Sequence, residues 1–94
     1  MPTARLLGSK LRALAGGVEV PVEGDTIGAA LRDLVAGADA RVGEMLFEGD
    51  ALSRDARILK NGQNVLRLSG LETPLVERDV LTVYFFGARS VPGG

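Results

Sequence analysis

VEVPVEGDTIGAALRDLVAG (residues 18–37) carries two hydrophobic periods in succession. Val18, Val20 and Val22 alternate with Glu19 and Pro21, the period of two that marks a half-buried strand. Pro21 has no N–H to give a ladder, so this strand belongs at a sheet edge or a bulge. After the turn at residues 23–25, Ile27, Ala30, Leu31, Leu34 and Val35 recur at helical spacing and line one face. Asp25 or Thr26 is placed to accept from the unpaired N–H groups of the first turn. Gly37 is expected to stop the helix in the left-handed conformation. A strand and a helix, each with one apolar face, predict an α+β sheet covered by one main helix.

Outward from this pair, TARLL (residues 3–7) predicts a first strand closed by Gly8. SKLRALAGG (residues 9–17) predicts a short helical turn, with Leu11 and Leu14 on one side and Gly16 and Gly17 ending it. Downstream, ADARVGEMLFEGD allows a shorter helical segment with Val42 and Leu46 four apart. In ARILKNGQNVLRL, Asn61-Gly62 is the pair that best tolerates positive φ at both centres of a type I′ turn. Residues 58–60 and 63–68 are therefore expected as hairpin arms, with Asn61-Gly62 acting as a turn and nothing more. A polar connection, residues 69–79, has Leu71 and Leu75 as anchors, and Pro74 holds Thr73 extended. VLTVYFF (residues 80–86) predicts the last strand, with Leu81, Val83 and Phe85 on one face and Thr82, Tyr84 and Phe86 on the other. The order predicts four to five strands, with the last able to lie beside the first. Residues 1–86 are expected as the domain and residues 87–94 as a flexible tail.

Composition narrows the function. The chain has 94 residues, no Cys and no His. Thiol chemistry, most transition-metal sites and His-based nucleophile activation lose their residues, so no metal and no bound cofactor is expected. An enzyme with its own active site is not expected either. The net charge is −1, with nine arginines and two lysines scattered along the chain, so no basic face is offered to nucleic acid. No apolar run approaches the length of a membrane span, and MPTARLLGSK lacks the features of a secretory signal. A cytoplasmic location is the expectation.

Taken in order, RLLGSKLRALAGG, VEVPVEGDTIGAALRDLV, RILKNGQNV, GLETPLVERDVLTVYF and the closing Gly93-Gly94 resemble the ubiquitin-like sulfur carriers of β-grasp fold. The nearest branch resembles the small subunit of molybdopterin synthase and the archaeal ubiquitin-like small modifiers. Two features depart from that pattern: Arg78 stands where a glycine usually precedes the aspartate, and FFGARSVPGG is longer than the usual tail.

The resemblance implies that the Gly94 carboxylate is the reacting group. An E1-like adenylating enzyme would activate it with ATP, and a sulfur donor would convert it to a thiocarboxylate. The acceptor would then be a pterin precursor held by the molybdopterin synthase large subunit, or lysines of protein targets. Sulfur supply for thiamine or tRNA thiolation uses the same tail chemistry.

A free α-carboxylate, ionised at neutral pH, is a poor electrophile until it is activated. Gly93 and Gly94 carry no Cβ into a narrow slot, and Pro92 removes freedom the tail must lose on docking. Fixing four tail residues costs about 4–8 kcal/mol, at about 1–2 kcal/mol each, so a docking body must offset it. Phe86 with Tyr84 is the candidate docking patch, and Arg89 the candidate for a carboxylate or phosphate of the partner. Lys10 and Lys60 are the candidate isopeptide acceptors if copies are joined. The competing reading is a β-grasp interaction module whose tail does no chemistry.

Overall fold

A computed structural model describes residues 1–85. The predicted tail, with Phe86, Arg89, Pro92, Gly93 and Gly94, lies outside the described residues. In chain order the elements are β1 (Thr3–Leu6), α1 (Ser9–Ala15), β2 (Glu19–Pro21), α2 (Ile27–Ala36), α3 (Ala40–Leu46), β3 (Phe47–Glu48), β4 (Ala51–Leu52), β5 (Ala56–Lys60), β6 (Gln63–Asn64) and β7 (Val80–Phe85). Two short 3-10 turns, Val65–Arg67 and Gly70–Glu72, separate β6 from β7.

β1 and β7 run parallel, with Thr3 opposite Val80 and Leu6 opposite Val83. β2 adds antiparallel to the outside of β1, and β5 then β6 add antiparallel beyond β7. The sheet order is therefore β2-β1-β7-β5-β6, with the last strand at its centre. Val18 O accepts from Leu6 N and Val22 N donates to Pro2 O, so alternation turns Pro21 toward the open edge, where its missing N–H costs no ladder bond.

One sheet face is apolar. Ala4, Leu6, Ile58, Leu81 and Val83 are buried together with Leu11 of α1, Ile27, Leu31 and Leu34 of α2, and Val42 and Leu46 of α3. Each fully buried Leu or Ile contributes roughly 1.5–3 kcal/mol over its exposed state. α2 begins where Thr26 Oγ1 accepts from Ala29 N at 3.2 Å. Asp25 contributes its backbone carbonyl instead, which accepts from Leu75 N at 2.8 Å. Gly24 is required by close approach: a Cβ there would stand 2.5 Å from Ala30 N and 2.9 Å from Ala29 Cβ.

Several expectations are corrected. Gly37 ends α2 at φ −97°, ψ 7°, outside the left-handed region; its N–H still reaches back to the helix carbonyls. Val18 is 49% exposed, so only Val20 and Val22 of the alternating set turn inward. The second hairpin arm is only Gln63–Asn64, because Asn64 Oδ1 accepts from Leu66 N and starts a 3-10 turn. The small β3–β4 hairpin was not expected; Gly49, at φ 66°, makes its turn.

Asn61 is the largest correction. It takes φ 51° and Gly62 φ 88°, as the turn requires. Its side chain then crosses to the start of β7. Nδ2 donates to Asp79 Oδ1 at 2.9 Å, and Oδ1 accepts from Val80 N at 2.9 Å. Asp79 is buried, and its other oxygen accepts from Val76 N at 2.8 Å. These hydrogen bonds, with Lys60 nearby, hold the Asp79 carboxyl below the ordinary carboxylate range. Asp39, at the start of α3, accepts from the guanidinium and backbone of Arg41, which lowers its pKa to about 2.

Two outcomes are expected. Gly24→Ala should lower unfolding stability by roughly 2–4 kcal/mol in urea titration, because the clashing atoms are helix backbone rather than a yielding side chain. For pH, both carboxyls are depressed in the folded state. They add stability that is fully present above about pH 4 and is lost as pH falls through the folded-state values. Asp79→Asn should therefore flatten the acid limb of stability measured between about pH 5 and pH 2.

Candidate functional site

Among the described residues, the helices cover one sheet face and leave the other open. Pairing register places Glu19, Arg5, Thr82, Leu59 and Asn64 in one row across the open face. Each is half-buried or exposed. A second row runs closer to the end of β7. Arg57 stands opposite Tyr84, and Leu7 follows Leu6 one step beyond its Val83 partner. Leu7 is 40% exposed, and its N–H donates to Val83 O at 3.0 Å. Leu7, Tyr84 and Arg57 thus form a strip where β7 reaches its last described residue.

Charges on this face are partly matched. Arg5 Nη2 lies 3.1 Å from Glu19 Oε2, and both side chains are about half exposed. A surface pair of this kind contributes about 0–1 kcal/mol, so it orients the groups more than it stabilises the fold. Arg57 Nη1 donates to Arg54 O and to Ala56 O at 2.6 and 3.0 Å, which holds its guanidinium over the strand rather than free in solvent.

Of the residues expected to act, the structure describes three. Tyr84 is on the open face as the alternation predicts, while Phe85 packs against the core. Lys10 lies exposed in the first turn of α1. Lys60 is placed differently: its Nζ donates to Pro74 O at 2.9 Å and stands 3.7 Å from Asp79 Oδ2, with its side chain 25% exposed. Leu7, Leu59 and Arg57 were missed as site residues. The period-two pattern of β5 could have found Leu59 and Arg57, but Leu7 reads as the end of a buried run until the pairing of β1 with β7 is known. Among the described residues, no group of three or more acidic, His or Cys side chains is gathered as metal ligands.

An open mixed sheet with its last strand at the centre and a helical layer on one face also organises known proteins. Small archaeal modifier protein 3 of Haloferax volcanii is 34% identical over 59 residues, which span 63% of this chain and 63% of that protein. A chain in the crystal structure of the Amycolatopsis orientalis BexX/CysO complex superposes with a TM-score of 0.83 at 25% identity, covering 94% of this chain and 98% of that one. The solution structure of small archaeal modifier protein 1 from Methanosarcina acetivorans gives a TM-score of 0.80 at 29% identity, covering 99% and 95%. In sequence and in fold the chain is similar to ubiquitin-like carriers and modifiers. Its fold is the β-grasp. No protein-family model matches the chain.

The two faces of β7 respond differently to mutation. Leu81→Ala, on the covered face, should cost about 2–5 kcal/mol through lost burial and the cavity left behind. Thr82→Ser, one residue along on the open face, should stay within about 0.5 kcal/mol in the same denaturation assay.

Proposed function

We propose that this chain is a sulfur carrier and protein modifier whose Gly94 carboxyl is the group transferred. An E1-like enzyme that consumes ATP activates it as an acyl adenylate. A sulfur donor then displaces AMP and leaves a thiocarboxylate. The chain itself supplies no active site and binds no cofactor; it supplies the acyl group and the surface by which the activating enzyme holds it.

One observation carries the reading. A body that superposes along nearly its whole length on ubiquitin-like carriers and modifiers is followed in the sequence by Gly93-Gly94. The geometry supplies the supporting argument. The strip of Leu7, Tyr84 and Arg57 stands beside Phe85, so a partner can grip the body next to the segment that reacts. Body contacts then offset the entropy of ordering residues 86–94 in a slot that glycine's missing side chains keep narrow. On this reading Phe86 extends the strip with Tyr84, Arg89 meets an anionic group of the partner, and Pro92 stiffens the approach to the diglycine.

The activated tail has two uses. As a carrier it gives sulfur, most directly to a pterin precursor with a molybdopterin synthase large subunit as partner. As a modifier it joins Gly94 to lysines of target proteins. The name of the Haloferax volcanii relative, a modifier, favours keeping the second use alongside the first.

The intact mass of the chain from its native cells, tagged only ahead of Met1, tests the proposal. A species in which sulfur replaces one oxygen is expected, and it should vanish when Gly94 is deleted or a residue is appended after it. Sulfur transfer that survives either change would rule out Gly94 as the reacting group, and the domain would then be an interaction module.

A further inference from the structure

The chain contains two lysines, and the structure assigns them opposite fates. We propose that Lys10 is the site at which one copy accepts another, and that Lys60 is withheld from conjugation by the fold. This rests on the proposed activation of Gly94.

Acyl transfer to lysine needs an amine with a free lone pair and an open approach of roughly 3 Å to the carbonyl carbon. Lys60 lacks the open approach. Its Nζ is directed into Pro74 O at 2.9 Å and toward the buried Asp79 carboxylate at 3.7 Å, and three quarters of its side chain is covered. A side chain pinned between two acceptors has no free approach to a carbonyl carbon. Releasing it would leave the Asp79 carboxylate short of its cation beside Asn61 and Val76, at the point where β7 begins.

Lys10 is the reverse case. It lies exposed in α1, and among the described residues it makes no hydrogen bond or ion pair. Leu11 and Ala15 bury the other side of the helix and fix the backbone, so the acceptor stands on a rigid element rather than a loose loop. Its position matters as well. α1 starts just past β1, whose end at Leu6 pairs with Val83. Lys10 is therefore at the end of the sheet where β7 finishes, beside the strip that a partner holding an activated copy would grip. The remaining amine, at Met1, is at the opposite end and pairs with Glu77 at 3.4 Å.

In the step itself the Lys10 Nζ lone pair attacks the Gly94 carbonyl carbon of an adenylated copy. The C–N bond forms, the bond to the AMP oxygen breaks with its electron pair, and the nitrogen loses its proton to water. The product is an isopeptide-linked pair.

Tryptic mapping of conjugates from native cells tests the assignment, because cleavage after Arg89 leaves a Ser-Val-Pro-Gly-Gly branch on the accepting lysine. The branch is expected on Lys10. Lys10→Arg should abolish self-conjugates while adducts on other proteins persist, and Lys60→Arg should retain them. A branch on Lys60 or Met1, or adducts on other proteins with none on this chain, overturns the assignment and leaves the modifier reading intact. Absence of Gly94 branches on every protein removes that reading and this one together. Acetylation of the purified chain with an N-hydroxysuccinimide ester gives an independent readout. Lys10 should be labelled well before Lys60; equal rates would show that Lys60 is not withheld.

Discussion

The parallel pairing of β1 with β7 is the constraint on which the remaining structure depends. It joins Thr3 to Val80 and Leu6 to Val83, the two ends of the described chain, and so closes nearly every other element into one loop. Such a closure is entropically demanding, and the cost grows only slowly with loop length. Once it is made, the free sides of the pair accept β2 and β5, and the apolar residues of both strands present one continuous floor. α2 finds its place because that floor exists: Ile27, Leu31 and Leu34 have nowhere else to be buried.

The same pairing sorts residues by role. Side chains at alternate positions of β7 go to opposite surroundings. Leu81 and Val83 enter the core, and Thr82 and Tyr84 meet water. Among the described residues, the three α-helices cover one face and leave the other open. The start of β7 is held separately by Asn61, Asp79 and the N–H of Val76, far along the strand from Phe85. The strand is thus fixed at its beginning by polar groups and along its length by apolar ones. Residues of the open face can then change with little effect on folding.

Much of this was legible in the sequence because local pattern and tertiary role agree. The switch from period two to helical spacing in residues 18–37 located β2 and α2, and the Asn61-Gly62 pair located the turn with both φ values positive. What escaped was decided by distant partners. Asn61 looked like a complete explanation in itself, since turn chemistry accounts for the residue; its bond to Asp79 depends on a contact 18 residues away. Gly37 has the residue type of a left-handed cap, yet the chain turns directly toward α3, where Asp39 N donates to Leu14 O, and no left-handed residue is needed. The short arm at Gln63–Asn64 follows from local competition: the Asn64 side chain satisfies Leu66 N and draws the backbone out of the ladder. For the site, Tyr84 could be read from alternation alone. Leu7 could not, because its exposure depends on which strand lies beside it. The immobilisation of Lys60 could not either, because a lysine in sequence says nothing about the carbonyl it meets.

The direction of β1 relative to β7 has a mechanical consequence. The two strands are parallel, so a pull applied at the start of β1 and at the end of β7 drags them past one another along their length. The load then falls on all the bonds of the ladder at once, where an antiparallel pair pulled from its open end would unzip bond by bond. With β7 flanked by β1 on one side and β5 on the other, tension along the strand is shared by two ladders. Tension between the start of β1 and the end of β7 therefore acts along the ladders rather than across them.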